Sequence, residues 1–271
     1  PPDLGKDLAS KGFKVMVDTG SVVRQLMINH QKEPLSNAEF RQALAYAIDR
    51  QAIVNISQRG YATVGSPGLV PPNNPWYNAN LPQYSYDPNK SEEILSKLGY
   101  VKKDNFFEKD GERLSLNLLY TPADERTAEM IKDQLGKAGI QINLRSMEQA
   151  TLDSAILKWD FDLAISGSGG LCGDPEFFHK AVVSNAPWSA RYSKNKNIIS
   201  LFDQQVKEMD KVKRKNLVEQ IQDLYARDVP SIPLYYSNSY YVHDNKVNLY
   251  FTIEGIAIGI PIPMNKMSFV K

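Results

Sequence analysis

The chain has 271 residues, of which 42% are hydrophobic and 23% charged, the ordinary composition of a globular protein with a sizeable core. Its 32 basic and 31 acidic side chains give a net charge of +1, and its densest basic run, KVKRK at 211–215, is too short for a nucleic-acid footprint. The single cysteine, Cys172, excludes an intramolecular disulfide and a cysteine-rich metal site.

The first half of the chain predicts a strand and two helices. We expect a strand at 23–29, a helix at 36–57 and a helix from Asp87 to Gly99. The first helix has apolar side chains at helical spacing and a capping-box pattern from Ser36 to Glu39, with Asn37 as the alternative cap. The second begins with Asp-Pro, an N-cap followed by proline in the first turn. The proline-rich passage 65–86 fits neither a helix nor a central strand.

The second half of the chain alternates between strands and helices. Asp110-Gly111 predicts a hairpin turn. Beyond it we expect strands at 114–120, 140–147 and 161–166, helices at 125–139, 151–158, 196–209 and 211–228, and an extended aromatic segment at 231–243. This alternation predicts an α/β fold with a mixed sheet and flanking helices.

The most distinctive stretch is FDLAISGSGGLCGDPEFF at 161–178, in which a strand leads into a glycine-rich loop and a helix start. The glycine spacing misses the dinucleotide-binding pattern by one residue, and no Lys-Ser/Thr pair follows as in a phosphate-binding loop. Asp174 and Glu176 already occupy the start of the next helix, where an anion would bind. Ser168 lacks the Gly-x-Ser-x-Gly pattern of a hydrolase. The stretch therefore predicts neither phosphate binding nor a catalytic serine.

Other groups that could support catalysis or metal binding are sparse. The histidines are His30, His179 and His243, and none lies at a recognisable metal-ligand spacing. Cys172 lies beside Asp174, whose negative charge disfavours a reactive thiolate. We therefore predict no catalytic residue, no metal and no cofactor, and an α/β hydrolytic enzyme is the less favoured class.

Several blocks together resemble a known family: NHQKEPLSNAEFRQALAYAIDRQAIV, YDPNKSEEILSKLGY, WDFDLAISGSGGLCGDPEFF and QIQDLYARDVPSIPLYYSNSYYV. In this order and spacing they resemble the C-terminal half of bacterial extracellular solute-binding proteins of family 5, the dipeptide-, oligopeptide- and nickel-type receptors of ABC importers. The resemblance implies one lobe of a two-lobed, periplasmic-binding-protein-like clamp of type II. It further implies that residues 1–29 cross from a missing N-terminal lobe, 30–235 form the C-terminal lobe, and 236–271 return to the other lobe. The chain opens without an initiator methionine or signal peptide, so we expect a processed chain or an expressed piece.

The resemblance also implies where a ligand would bind. The glycine-rich segment resembles the cleft-lining segment of the family, and strand ends of an open α/β sheet are the usual place for a ligand. The expected cleft residues are Tyr120, Thr121, Ser166, Gly167, Ser168, Gly169, Gly170, Leu171, Tyr235 and Tyr236. The tyrosines are equally well explained as packing residues on the two faces of a strand. Asp174 matches the Asp-Pro of the family and is expected to be a structural N-cap.

The resemblance implies a periplasmic or lipid-anchored, monomeric receptor that binds a small solute, a peptide or an oligosaccharide, and delivers it to ABC permease subunits. Peptide-binding members carry an aspartate at the position of Leu171 and often a tryptophan at that of Ser168. Both are absent here, which disfavours a peptide held by a free amino group. An oligosaccharide-type or nickel-type receptor and a solute sensor remain as alternatives.

Overall fold

The computed structural model describes residues 2–169, 171 and 173–244. In these ranges the helices are α1 (Pro2–Ser10), α2 (Ala38–Tyr46), α3 (Arg50–Ser57), α4 (Pro88–Lys97), α5 (Glu125–Lys137), α6 (Gln149–Lys158), α7 (Pro175–Val183), α8 (Lys196–Gln205) and α9 (Lys211–Asp228), with a 3₁₀ turn at Pro122–Asp124. The strands are β1 (Lys14–Ile28), β2 (Ala62–Val64), β3 (Val101–Lys103), β4 (Phe106–Lys109), β5 (Glu112–Arg113), β6 (Ser115–Tyr120), β7 (Gln141–Ser146), β8 (Leu163–Gly169) and β9 (Ser231–His243).

The strands form one large sheet and one small sheet. The large sheet has six strands in the order β2-β9-β1-β8-β6-β7. β6 pairs in parallel with both β7 and β8, whereas β1 pairs antiparallel with β8 and β9, and β2 pairs antiparallel with β9. The small sheet, β3-β4-β5, contains the predicted hairpin turn, where Asp110 and Gly111 have φ of 54° and 82°. The predicted α/β class with a mixed sheet is confirmed.

Apolar clusters lie on both faces of the large sheet because neighbouring strand residues point to opposite sides. Leu26 and Leu118 point to one side of the sheet, which we call the first face. On this side they lie in a cluster that includes residues of α2, α3, α4 and α5. Their neighbours Met27 and Leu119 lie in a cluster with α6, and Val23 lies in a cluster with α7, α8 and α9. Helices therefore cover both faces of the sheet.

The helix predicted at 36–57 is wrong in its continuity, because two helices occupy this range. The side chain of Asn37 accepts hydrogen bonds from the N–H groups of Glu39 and Phe40, so Asn37, rather than Ser36, caps α2. The side chain of Asp49 accepts a hydrogen bond from the N–H of Ala52 at 2.8 Å and so caps a second helix, α3. A short polar side chain can start a new helix in this way although the apolar spacing continues through it.

The helix predicted from Asp87 is confirmed. Asp87 is the N-cap of α4 and accepts a hydrogen bond from the N–H of Lys90 at 2.9 Å, and Pro88 opens the helix. Gly99 follows the helix with φ of 88°, a conformation that glycine adopts at little cost.

Candidate functional site

The candidate site lies at the edge of the large sheet where its parallel strands end, which we call the carboxyl-end edge. β6 ends there at Tyr120 and β8 at Gly169. Val22 of β1 pairs with Gly169 on one side and with Ser237 of β9 on the other. Residues that are far apart in sequence therefore meet at an edge where open α/β sheets bind ligands.

β1 and β9 continue beyond this edge as a two-stranded ribbon. Residues 14–19 of β1 pair with 238–243 of β9, whereas the pairing of β1 with β8 begins only at Val22. The register shifts between the pairs Thr19–Asn238 and Val22–Ser237, so β1 has extra residues where the ribbon leaves the sheet. The ribbon thus pairs part of the expected crossing segment 1–29 with part of the expected return segment 236–271.

The glycine-rich segment is not a loop throughout, and this part of the expectation is wrong. Gly167, Ser168 and Gly169 belong to β8, because β1 supplies backbone partners for all of them. A Cβ on Gly167 would lie 2.5 Å from the carbonyl oxygen of Val23 and 3.0 Å from Cδ of Arg24. Glycine is therefore required at 167 by the neighbouring strand. Gly170 and Cys172 lie outside the described residues.

The other expected residues of this segment point into the protein. Ser166 donates a hydrogen bond to the carbonyl oxygen of Pro187 at 3.1 Å. Ser168 is buried, and its hydroxyl has no hydrogen-bond partner among the described residues. Leu171 packs in the cluster with α7, α8 and α9, and its carbonyl oxygen accepts a hydrogen bond from Nδ2 of Asn74 at 2.6 Å.

Tyr235 and Tyr236 lie on opposite faces of the sheet and are both buried. The hydroxyl of Tyr236 donates to the carbonyl oxygen of Leu69 at 2.8 Å and accepts from the N–H of Ser66 at 3.1 Å. Its polar end therefore has partners within the chain. Burial raises the pKa of Tyr235, and the hydroxyl of this residue interacts with Thr127 and Arg24.

A polar cluster on the first face lies at the carboxyl-end edge. Tyr120 ends β6 within the apolar core, and Thr121 follows it with its hydroxyl 3.1 Å from Oδ2 of Asp124. The same oxygen accepts a hydrogen bond from Nη2 of Arg24 at 2.9 Å. Burial raises the pKa of Asp124 above its usual range, although Arg24 and the Thr121 hydroxyl act in the opposite direction. We call Arg24, Thr121, Asp124 and Tyr235 the edge cluster.

Asp174 lies at the N-cap of α7, one residue before Pro175. Its Oδ1 accepts a hydrogen bond from the N–H of Glu176 at 3.0 Å. Both carboxylate oxygens also bind Arg214 of α9, at 2.9 and 3.1 Å. The side chain therefore starts one helix and joins it to another.

From the sequence, Tyr120, Thr121 and Tyr235 were predicted as cleft residues, but Arg24 and Asp124 were not. The signals that could have found them are a charged residue inside the apolar strand pattern VVRQLMI, and an acid four residues after the end of the predicted strand 114–120. Within the described ranges, the structure holds no group of three or more metal-ligating side chains and no helix that could cross a membrane.

The fold, a mixed sheet covered by helices on both faces, is that of the periplasmic binding proteins. The oligopeptide-binding protein AppA from Bacillus subtilis, solved in complex with a nonapeptide, has this fold. It matches with a TM-score of 0.76 over 93% of this chain and 52% of that chain, at 23% sequence identity.

The chain belongs to the bacterial extracellular solute-binding proteins of family 5, whose model for the middle region matches residues 1–190. It is similar to a dipeptide-binding protein of Escherichia coli (strain K12), with 31% identity over 69% of this chain and 34% of that protein. It is also similar to heme-binding protein A of Haemophilus influenzae, with 28% identity over 87% of this chain and 43% of that protein. The chain thus spans less than half the length of these two relatives.

Proposed function

We propose that this chain is most of one lobe of the substrate-binding component of an ABC importer. In this proposal a solute is captured between two lobes and delivered to the permease. The observation that supports it most strongly is the carboxyl-end edge, where β6, β8, β1 and β9 meet and from which the β1–β9 ribbon projects. A ligand-binding edge with a two-stranded connection beside it is what a clamp of this family needs.

We further propose that residues 1–29 and 236–271 are crossing segments and that 30–235 form the lobe. The ribbon supports this division, because its strands extend beyond β8 and, within the described residues, pair only with each other at 14–19 and 238–243. The irregular register between Thr19 and Val22 lies at the boundary. Extra residues in one strand loosen the ladder and bend it, which suits a connection between lobes that move.

An oligopeptide or a similar solute is the first candidate ligand. Three of the proteins that this chain is similar to are named for a dipeptide, an oligopeptide and heme. Leu171 supports a second candidate, an oligosaccharide-type or nickel-type receptor. Its side chain packs in an apolar cluster and offers no carboxylate to an amino group.

The protein would act as a monomer outside the cytoplasmic membrane, either free in the periplasm or held by a lipid anchor, and would dock on permease subunits. It would bind without chemical turnover, whether it serves transport or solute sensing. The sparse catalytic groups in the sequence support a receptor over an α/β hydrolytic enzyme.

A thermal-shift screen of the full-length protein tests this proposal. The panel contains peptides of two to nine residues, hemin, mannohexaose and nickel-histidine, and a parallel screen uses generic peptidase, esterase, glycosidase and phosphatase substrates. We expect at least one solute to raise the melting temperature, because a ligand that binds only the folded state stabilises it. The receptor function would be contradicted if no solute raised the melting temperature and a generic substrate was reproducibly turned over.

A further inference from the structure

The edge cluster contains an ion pair whose two members differ in exposure. Asp124 is only 4% exposed, whereas the side chain of Arg24 is 27% exposed. The carboxylate therefore lies beneath, and part of the guanidinium remains open to solvent. Arg24 therefore presents part of its guanidinium at the edge where the strands end, and Asp124 balances its charge.

The backbone around Arg24 leaves room for its side chain. Arg24 pairs with Gly167 of β8 and with Tyr235 of β9. A Cβ on Gly167 would lie 3.0 Å from Cδ and 3.2 Å from Nη1 of Arg24. The side chain thus runs across the glycine of the neighbouring strand. Its path is fixed by the sheet on one side and by Asp124 on the other.

The guanidinium of Arg24 has donor capacity beyond its contacts with the described part of the chain. Arginine carries five N–H donors in a planar fork that suits two oxygens of a carboxylate. Nη2 donates to Asp124, and the hydroxyl of Tyr235 also interacts with Arg24. Among the residues that the structure describes, these two partners leave donors for a further anion. Asp124 then acts by positioning, since it fixes the orientation of the fork.

We propose that Arg24, oriented by Asp124 at the carboxyl-end edge, binds a carboxylate of the solute. This inference rests on the proposed receptor function and adds a substrate class to it. The carboxylate can come from the C-terminus of a peptide or from the propionates of a porphyrin. A neutral oligosaccharide offers no such group.

The test uses pairs of probes that differ only in the acid group. Trialanine is compared with trialanine amide, and hemin with its dimethyl ester, by calorimetry on the full-length protein. We expect one free acid to bind at least about tenfold more tightly than its neutral partner, since hydrogen bonds to charged groups are strong. The probe pair that shows this difference identifies the source of the carboxylate.

Arg24→Gln should abolish this discrimination, so that acid and neutral probe bind alike. Lys32→Gln is the matched control, because Lys32 pairs with Asp162, another largely buried aspartate, at the opposite end of β8. It should keep the discrimination. If Arg24→Gln fails to fold, Arg24→Gln combined with Asp124→Asn removes the buried unpaired charge, and the same loss is expected.

The outcomes separate the two proposals. If Arg24→Gln still prefers the acid as strongly as the unmodified protein, Arg24 does not bind the carboxylate, although the receptor function stands. The same conclusion follows if the unmodified protein binds acid and neutral probes equally. If no solute of the wider panel binds at all, the receptor function itself is contradicted.

Discussion

At the residue scale, the glycine-rich segment is explained by the neighbouring strand as much as by a ligand. The carbonyl oxygen of Val23 and the side chain of Arg24 occupy the space that a side chain at Gly167 would need. Such close approach of two strands is a common reason for glycine inside a strand. The same glycine allows Arg24 to reach the carboxyl-end edge.

Gly167→Ala should therefore destabilise the chain. The added Cβ would lie 2.5 Å from a backbone oxygen, which cannot move aside without shifting β1. We expect a loss of about 1–3 kcal/mol in the free energy of unfolding, as for other overpacked sites. Gly136→Ala in α5 is the control, because apart from its chain neighbours and the helix backbone around it no atom of the described residues lies within 4 Å of its Cβ position. Urea denaturation that gave both variants the same midpoint would contradict this reading of Gly167.

His30 makes stability depend on pH. It is fully buried between Trp159 and Tyr192, and its Nε2 lies 3.0 Å from the carbonyl oxygen of Ala190. Burial lowers its pKa from an ordinary 6.5 to about 4, with Arg41 and other nearby cations adding to the effect. Between about pH 4 and pH 6.5, His30 is therefore neutral in the folded protein but protonated in the unfolded chain.

The contribution of His30 is thus fully present above pH 6.5 and is lost as the pH falls toward 4. Between pH 7 and pH 5 we expect a loss of about 2 kcal/mol in the free energy of unfolding from this residue. His30→Gln, which can still donate to Ala190, should lack this component. Urea titrations of both proteins at the two pH values measure it. An identical pH dependence in the two would show that His30 does not cause it.

Some residues near the carboxyl-end edge could be predicted from the sequence, whereas others could not. Tyr120, Thr121 and Tyr235 could be placed near the edge because strand ends are visible in the apolar pattern. Arg24 and Asp124 are 100 residues apart, and nothing local links an arginine in one strand to an acid after another. Their meeting depends on β8 lying between β1 and β6 in the sheet.

At the element scale, Arg41 joins the start of the lobe to the end of α9. It is 2% exposed and donates to the carbonyl oxygens of Leu35, Ser36, Asp228 and Val229. The last two belong to the C-terminus of α9, where helix carbonyls lack partners and a positive charge is favourable. One side chain thus holds α2 against α9.

Arg41→Met should remove this connection and leave several buried carbonyl groups without partners. Because each such group costs about 1–3 kcal/mol, we expect a loss of at least about 3 kcal/mol in the free energy of unfolding. Gln42→Ala is the control, since Gln42 donates to the carbonyl oxygen of Arg227 in an exposed position. Its loss should stay near about 0.5 kcal/mol. Equal effects of the two substitutions would contradict the role given to Arg41.

Element boundaries were predictable where a local signal exists. Asp87, Pro88 and Gly99 bound α4 as expected, because caps act within a few residues of the helix end. The break between α2 and α3 was missed because the apolar spacing continues across Asp49. The extension of β8 through Gly169 was missed because its cause is the partner strand β1, which is remote in sequence.

At the scale of the whole molecule, the chain has a carboxyl-end edge and a ribbon that projects beside it. The α/β class followed from the alternation of strands and helices, and the family followed from blocks spread along the chain. The strand order did not follow from the sequence, because it depends on long-range pairing of β1 with β8 and β9. Membership of family 5 gives the fold, and the edge cluster provides the basis for a solute class.

We propose that this lobe closes with another on a solute. Small-angle X-ray scattering of the full-length protein, with and without the solute that stabilises it in the thermal-shift screen, tests the claim most directly. We predict a smaller radius of gyration at saturating solute, because hinge closure between lobes brings their centres together. An unchanged radius of gyration at saturation would contradict a clamp and indicate a pocket within a single rigid lobe.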